Sequence, residues 1–528
     1  MASQLQSQLQ QLAGNESHAL LRAINRGIEK ESLRITPEGK LAQTPHPAGL
    51  GSALTHGSIT TDYSEALLEF ITPVSNGIEE SLETLENIHS FAYREIGEEM
   101  LWAASMPCIM TGDEGIPVAR YGSSNVARMK TVYRLGLGHR YGRLMQAIAG
   151  IHYNFSMPQA YWERAWQQAG SPGDLTDYIS TRYLGLIRNF RRYSWLLIYL
   201  FGASPAVCAS FLKGRDNPGL EPFDEQGRSL YLPHGTALRM GDLGYNSAAQ
   251  KSLNVCYNDL DAYIETLRCA ILRPHPDYHD IPRGQEGDYQ QLSDSLLQIE
   301  NEFYSPIRPK RITRSGETPL SALHRRGIEY VEVRCVDVSP FSPVGIDASQ
   351  IRFLDTFLLF CLLEESAPCT DEEQASQAAN LEAVVNRGRM PGLLLQTDAG
   401  EKPMTIWAGE LLSQFEQVAS LLDQANASTL YSASLKQQLA AVTDPELTPS
   451  ARILREMREQ DLPFFRLTMG YSEQWARQFR GRRLSPQLQA AMEAETERSN
   501  QARREIEQAD DISFEQYLDR YFAQYRAL

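Results

Sequence analysis

The chain has 528 residues, enough to bury a large core, and its 42% hydrophobic and 22% charged content is that of a globular protein rather than a fibre or a disordered chain. A formal net charge of -16 excludes a general nucleic-acid binder, which must meet phosphates with a basic face. The seven cysteines (Cys108, Cys208, Cys256, Cys269, Cys335, Cys361 and Cys369) form no CxxC pair, which predicts reduced thiols in a cytoplasmic protein, with neither a disulfide framework nor a zinc cage.

The polar, glutamine-rich start MASQLQSQLQQL predicts a surface helix, since a signal peptide needs a basic start and a purely apolar run. Next comes GIEKESLRI, residues 27–35, where Glu29 and Glu31 stand two apart. In a strand that spacing sends both carboxylates to one face, with Leu33 and Ile35 continuing it. Two such acids repel unless a cation or a proton lies between them, which makes a divalent metal the candidate. Taken alone, the segment also suits an edge strand with solvated acids.

The segment TTDYSEALLEFITP supplies Asp62, Glu65 and Glu69 ahead of a proline. A strand puts Glu65, Leu67, Glu69 and Ile71 on one face; a helix also clusters Glu65 with Glu69, so periodicity leaves the class open. The stretch between residues 77 and 106 repeats apolar residues at three and four, which predicts an amphipathic helix. In GIHYNFSMP, His152, Asn154 and Ser156 face one way, and Ile151, Tyr153 and Phe155 the other. A lone histidine there suits a structural hydrogen bond as well as a metal.

A second helix is predicted over residues 175–200, and the most apolar stretch, 195–203, is far shorter than the roughly 20 residues of a membrane span. The run SPIRPKRITRSGETP then packs Arg308, Lys310, Arg311 and Arg314 into a proline-stiffened, extended segment. Several guanidinium groups together can fork onto a triphosphate, although a solvated basic loop has the same composition. GIEYVEVRCVDV puts Tyr330, Glu332 and Arg334 on one strand face, an acid and a cation that can also simply pair. No GxxxxGK[ST] run occurs, and GLGHRYG lacks a dinucleotide fingerprint's spacing, so a nucleotide must be held by metal and arginine on a sheet.

Residues 348–364, 404–425 and 434–441 read as packing helices, and residues 486–528 as a long solvated helix with charge pairs four apart. The whole is expected to be α+β, with a largely antiparallel sheet polar on one face and packed on helices on the other. Residues 1–345 are expected to form the catalytic region, with the mainly helical residues 346–528 packing on it. Oxygen-rich donors with one imidazole suit magnesium or manganese, and magnesium in turn implies a phosphate substrate.

With these segments in view the chain resembles the proteobacterial-type glutamate-cysteine ligases. The motifs that carry the likeness are GIEKESLRI, GSALTH, TTDYSEALLEFITPV, KTVYRLGL, RYGRLMQAIAGIHYNFS, YLFGASPA, LRMGDLGY, LQIENEFYSPIRPKRITRSGE and GIEYVEVRCVDVSPFSPVG, in order from about residue 20 to 343. The resemblance implies a glutamine-synthetase-like catalytic fold and ATP-dependent joining of the glutamate side-chain carboxylate to the cysteine amine, in a monomer using two or three Mg2+ or Mn2+ ions. It implies Glu29, Asp62, Glu69, His152 and Glu332 as metal and nucleotide ligands with Glu31 beside them, and Arg334 on phosphate, so that Glu29, Glu332 and Arg334 carry the chemistry. It further implies Tyr63, Tyr133, Tyr245 and Tyr304 around cysteine, Arg239 and Gln146 on the amino acids, and feedback by glutathione. Tyr63 departs from the family's frequent phenylalanine, and Ala127 from its usual glycine. Three alternatives remain at this point: a γ-glutamyl ligase for another amine, a metal-dependent hydrolase using the same acids, and a catalytically silent binding protein, which the retention of all the acids, His152 and the basic run disfavours.

Overall fold

The computed structural model describes residues 4–107, 109–244, 250, 253–283 and 289–528. Five strands lie in the first part of the chain: β1 (Asn25–Ile35), β2 (Ile59–Thr61), β3 (Leu67–Ile71), β4 (Met100–Leu101) and β5 (Ile151–Ser156). A small three-stranded sheet follows, made of β6 (Ala206–Cys208), β7 (Glu221–Pro222) and β8 (Ser229–Tyr231). Strands β9 (Ile307–Lys310) and β10 (Tyr330–Val336) complete the main sheet in the order β2-β3-β1-β5-β10-β9, with β4 on β1 and every pairing antiparallel.

The expected alternation holds on both faces. On the back of the sheet, Arg26, Ile28 and Lys30 from β1, Tyr153 from β5 and Val331 and Val333 from β10 are all buried. Helices Ile78–Glu95, Leu175–Phe201 and Ala348–Leu363 cover that back: the first lies behind β1 and β3, the second behind β9 and β10, and the third packs on both helices. The long helix starts at Asp174, whose side chain accepts from Thr176 N, and the Ala348–Leu363 helix at a capping box formed by Asp347 and Gln350. One apolar core runs from Leu5 near the start to Tyr525 near the end.

Two expectations are corrected. TTDYSEALLEFITP is neither one helix nor one strand: β2 and β3 form a hairpin, and Asp62 and Glu65 lie in its connection. The Glu65 carboxylate therefore leaves the strand face and accepts from the backbone N–H groups of His46 and Arg120, both at 2.7 Å. The tail is two helices, Pro486–Ala509 and Phe514–Arg526, and the second is not a solvated face. Its Phe514, Leu518, Tyr521 and Tyr525 are buried against the helices Asn125–Tyr141, Leu260–Leu272 and Pro319–Arg326. Among the described residues no helix is long and apolar enough to cross a membrane.

Candidate active site

Sheet register assembles the front face. Glu31 stands opposite Glu69 across β1 and β3, Glu29 opposite His152 across β1 and β5, Asn154 opposite Glu332 across β5 and β10, and Glu332 opposite Arg308 across β10 and β9. Directly opposed residues on one sheet face are close enough for their side chains to meet. Here they do. His152 Nδ1 is 3.1 Å from Glu29 and 4.0 Å from Glu332, and its Nε2 is 3.6 Å from Glu31. Two sets of ligand-type atoms, Glu29–His152–Glu332 and Glu31–Glu69–His152, each lie within 4.8 Å of one another.

A register shift between Val333 and Val336 interrupts the pairing of β10 with β5. A bulge of this kind re-aims a side chain, and Arg334 is the residue it presents. Its carbonyl accepts from Arg239 Nη2 at 2.8 Å, while its Nη1 donates to Glu332 Oε2 at 3.2 Å. Arg239 is wholly buried, 3.9 Å from Asp337, and a Cβ on Gly150 would come within 2.0 Å of its Nη2. A side chain at 150 would therefore have to displace the Arg239 guanidinium, and the backbone N–H there also donates to Glu31 Oε2 at 2.6 Å and fixes that carboxylate's direction.

The acids divide into two electrostatic groups. Burial would raise the pKa of Glu332, but Lys310, Arg334 and His152 outweigh it and hold the carboxyl well below its usual range; Lys310 Nζ lies 3.3 Å away. Burial likewise works against the charged form of Glu29, and its hydrogen bond with His152 reverses the balance and lowers its pKa. Glu69 is the opposite case, pushed well above the ordinary value by burial first and then by Glu29, Asp62 and Glu31. Glu31 is raised by burial and by Asp62. Carboxylates this close repel one another, and the charged form is most disfavoured on the Glu31–Glu69 side.

Of the basic run, Arg308 and Lys310 share the face of Glu332 because they are two apart on β9. Arg308 is buried, with Nη2 donating to the carbonyls of Asn301 and Phe303, the former at 2.9 Å. Arg311 and Arg314 depart from the expected cluster. Arg311 lies just beyond the end of β9, 3.5 Å from Glu329, and Arg314 lies exposed past the strand. On the other flank Gln146 donates to the Tyr304 hydroxyl at 2.9 Å, and Tyr133 is half-buried on the helix Asn125–Tyr141. The Tyr63 hydroxyl is buried with no hydrogen-bond partner among the described residues. Tyr245 lies outside the described residues.

Three residues had no role assigned from sequence. Asn154 donates to Glu29 Oε1 at 2.8 Å and so orients it; its place on the polar face of GIHYNFS was the available signal. Arg134 and Tyr121 hold Asp62 in place through its carbonyl, the tyrosine at 3.0 Å.

This face has an acidic row, an imidazole and a cationic flank on an antiparallel sheet, the donors of a site for a divalent cation and a charged small molecule. Residues 9–384 match the family model described as glutamate-cysteine ligase, and the chain belongs to that family. It is 48% identical over 517 residues to a glutamate–cysteine ligase of Saccharophagus degradans, covering 98% of this chain and 97% of the relative. It is 49% identical over 510 residues to the Pseudomonas fluorescens enzyme, covering 97% and 95%. Among solved structures, the glutamate–cysteine ligase of Francisella tularensis in complex with AMP superposes with a TM-score of 0.89 at 36% identity, covering 96% of this chain and 98% of that one. A bifunctional glutathione synthetase from Pasteurella multocida gives 0.66 at 25% identity, covering 89% of this chain and 53% of that one.

Proposed function

We infer that the protein joins the side-chain carboxylate of L-glutamate to the amine of L-cysteine, the first step of glutathione synthesis, through γ-glutamyl phosphate and with ATP converted to ADP and phosphate. One observation carries the reading: in a chain of this family, Glu29, Glu31, Glu69, His152 and Glu332 converge on one sheet face beside Lys310 and Arg334. The sheet is of the glutamine-synthetase type, with residues 1–345 as the catalytic region and 346–528 as a helical buttress.

The donor set fits magnesium or manganese. His152 Nε2 is buried with no hydrogen-bond partner among the described residues and lies 3.6 Å from Glu31, and the Glu31 and Glu69 carboxylates stand directly opposite each other on the sheet. Glu31, Glu69 and Asp62 would hold one ion, and Glu29 and Glu332 another. A neutral imidazole has one lone pair, so His152 completes one set. A divalent cation held by these residues would supply positive charge to offset that of the nucleotide phosphates. Arg334, presented by the bulge, forks onto the transferring phosphoryl group, and Lys310 adds a point charge beside it. The tyrosine-lined flank of Tyr63, Tyr133 and Tyr304 shields the acyl phosphate from water while the amine approaches.

The test is release of ADP: it is expected with glutamate, cysteine and a divalent cation present together, and an amine-acceptor screen should rank cysteine first. Glutamate-independent ATP hydrolysis, or hydrolysis of an amide without ATP, would defeat the reading. Metal binding should also be linked to protons. Glu69 keeps its proton above the usual carboxylate range, and a ligand must lose it, so magnesium affinity rises as pH rises through that window. Calorimetric titration of the metal-free protein in two buffers of different ionisation enthalpy should report proton release; identical heats would count against Glu69 as a ligand.

A further inference from the structure

The helix Asn125–Tyr141 carries Arg128, Lys130 and Arg134 within two turns. Two of the three are engaged. Arg128 lies over the Phe514 ring at 4.4 Å, and Arg134 donates to the carbonyls of Asp62 and Lys130 while its guanidinium stacks over Tyr121 at 4.7 Å. Lys130 is different. Its Nζ makes no hydrogen bond or ion pair among the described residues, and its one charge-type contact is the Tyr121 ring at 5.1 Å. A ring face satisfies none of three N–H donors in the way an anion does.

This unpaired ammonium is half-buried. Burial and the neighbouring Arg134 lower its pKa to about 8, and Glu69 opposes them. Keeping a cation so placed, without a carboxylate in contact, is unfavourable unless something else brings the negative charge. Arg308 and Lys310 of β9 stand beside Glu332, Arg334 acts on both ends of the acidic row, and Lys130 lies over the ring of Tyr121, whose hydroxyl donates to the Asp62 carbonyl at 3.0 Å, one turn from Tyr133. Lys130 thus adds a cation at the Asp62 end of the site, apart from Lys310 beside Glu332.

We propose that Lys130 is a substrate-binding residue whose ammonium takes the α-carboxylate of an amino-acid substrate at the Glu69 end of the site. This rests on the ligase reading above, in which both acceptor and donor are amino acids bearing an α-carboxylate. Arg134 cannot substitute, because its donors hold Asp62 and the helix backbone. The role is one of binding and orientation; phosphoryl transfer itself is left to Arg334 and Lys310.

The experiment is steady-state kinetics of the full-length Lys130→Met and Lys130→Gln variants, varying glutamate, cysteine and MgATP in turn. Loss of one charge-assisted hydrogen bond predicts a KM raised about 10- to 100-fold for one amino acid, with the KM of MgATP unchanged. Lys130→Arg should recover much of the loss. The two sources of the carboxylate separate with decarboxylated analogues: cysteamine in place of cysteine, or 4-aminobutyrate in place of glutamate, should show no penalty in the variant if that substrate's carboxylate is the partner. A penalty confined to MgATP, one shared equally by all three substrates, or none at all in variants with wild-type circular dichroism overturns the proposal. Failure of the wild-type protein to form γ-glutamylcysteine would instead overturn the ligase reading.

Discussion

Glu69→Gln should remove most of the ligation activity and at the same time raise the melting temperature of the metal-free protein at neutral pH. The two effects have one cause. Glu69 is half-buried on β3, directly opposite Glu31, and its charged form is opposed by burial and by Glu29, Asp62 and Glu31. A carboxyl whose folded pKa exceeds its unfolded one binds more protons when folded, so stability falls as pH rises through the interval between them and stays reduced above it. An amide of the same shape removes that penalty. It also removes the charge that would meet a divalent cation, for which a loss of about 10^3-fold in kcat/KM is expected, or about 4 kcal/mol of transition-state stabilisation. The stability gain should vanish at pH values below the usual carboxylate range, where the wild-type residue is protonated in both states. Thermal melts across pH together with turnover measurements check this; a variant that is less stable at neutral pH yet active would remove Glu69 from the site.

A group kept at a cost to stability is also the kind that a pattern in the sequence can reveal. Glu29 and Glu31, two apart in an alternating segment, already required one face, and β1 supplies it. The same period separates Arg308 and Lys310, which reach the site, from Arg311, which does not; composition had grouped all of them. Glu65 and Glu69 show the limit of periodicity. Four apart, they suit a helix or one strand, and the decision lay in a hairpin pairing of β2 with β3 that no local pattern specifies. The final helix was misjudged because its stripe of Phe514, Leu518, Tyr521 and Tyr525 is embedded among charges, and its partners lie far away in the chain. Lys130 stands on a helix with neighbours on several sides, so no polar stripe sets it apart from Arg128 or Arg134.

The interaction least accessible from sequence should have the largest effect on stability. Asp355, fully buried in the helix Ala348–Leu363, accepts from Arg26 Nη2 at 2.7 Å and Nε at 2.9 Å, from Tyr153 at 2.6 Å and from Tyr431 at 3.4 Å. The partners come from β1, β5 and the helix Leu430–Thr443, so one carboxylate ties the back of the catalytic sheet to the helices that follow it. Burial works against the Arg26 charge, and Asp355 more than restores it. Asp355→Ala leaves a guanidinium and two phenols buried without their acceptor, and about 3–5 kcal/mol of destabilisation is expected. Because Tyr153 is the neighbour of His152 and one core runs through both regions, the loss should appear as a single unfolding transition shifted down, with activity lost at the same temperature. Differential scanning calorimetry beside an activity melt decides it. Two separated transitions, with ligation surviving the first, would make residues 346–528 an independent unit and leave the sheet to hold its acids together unaided.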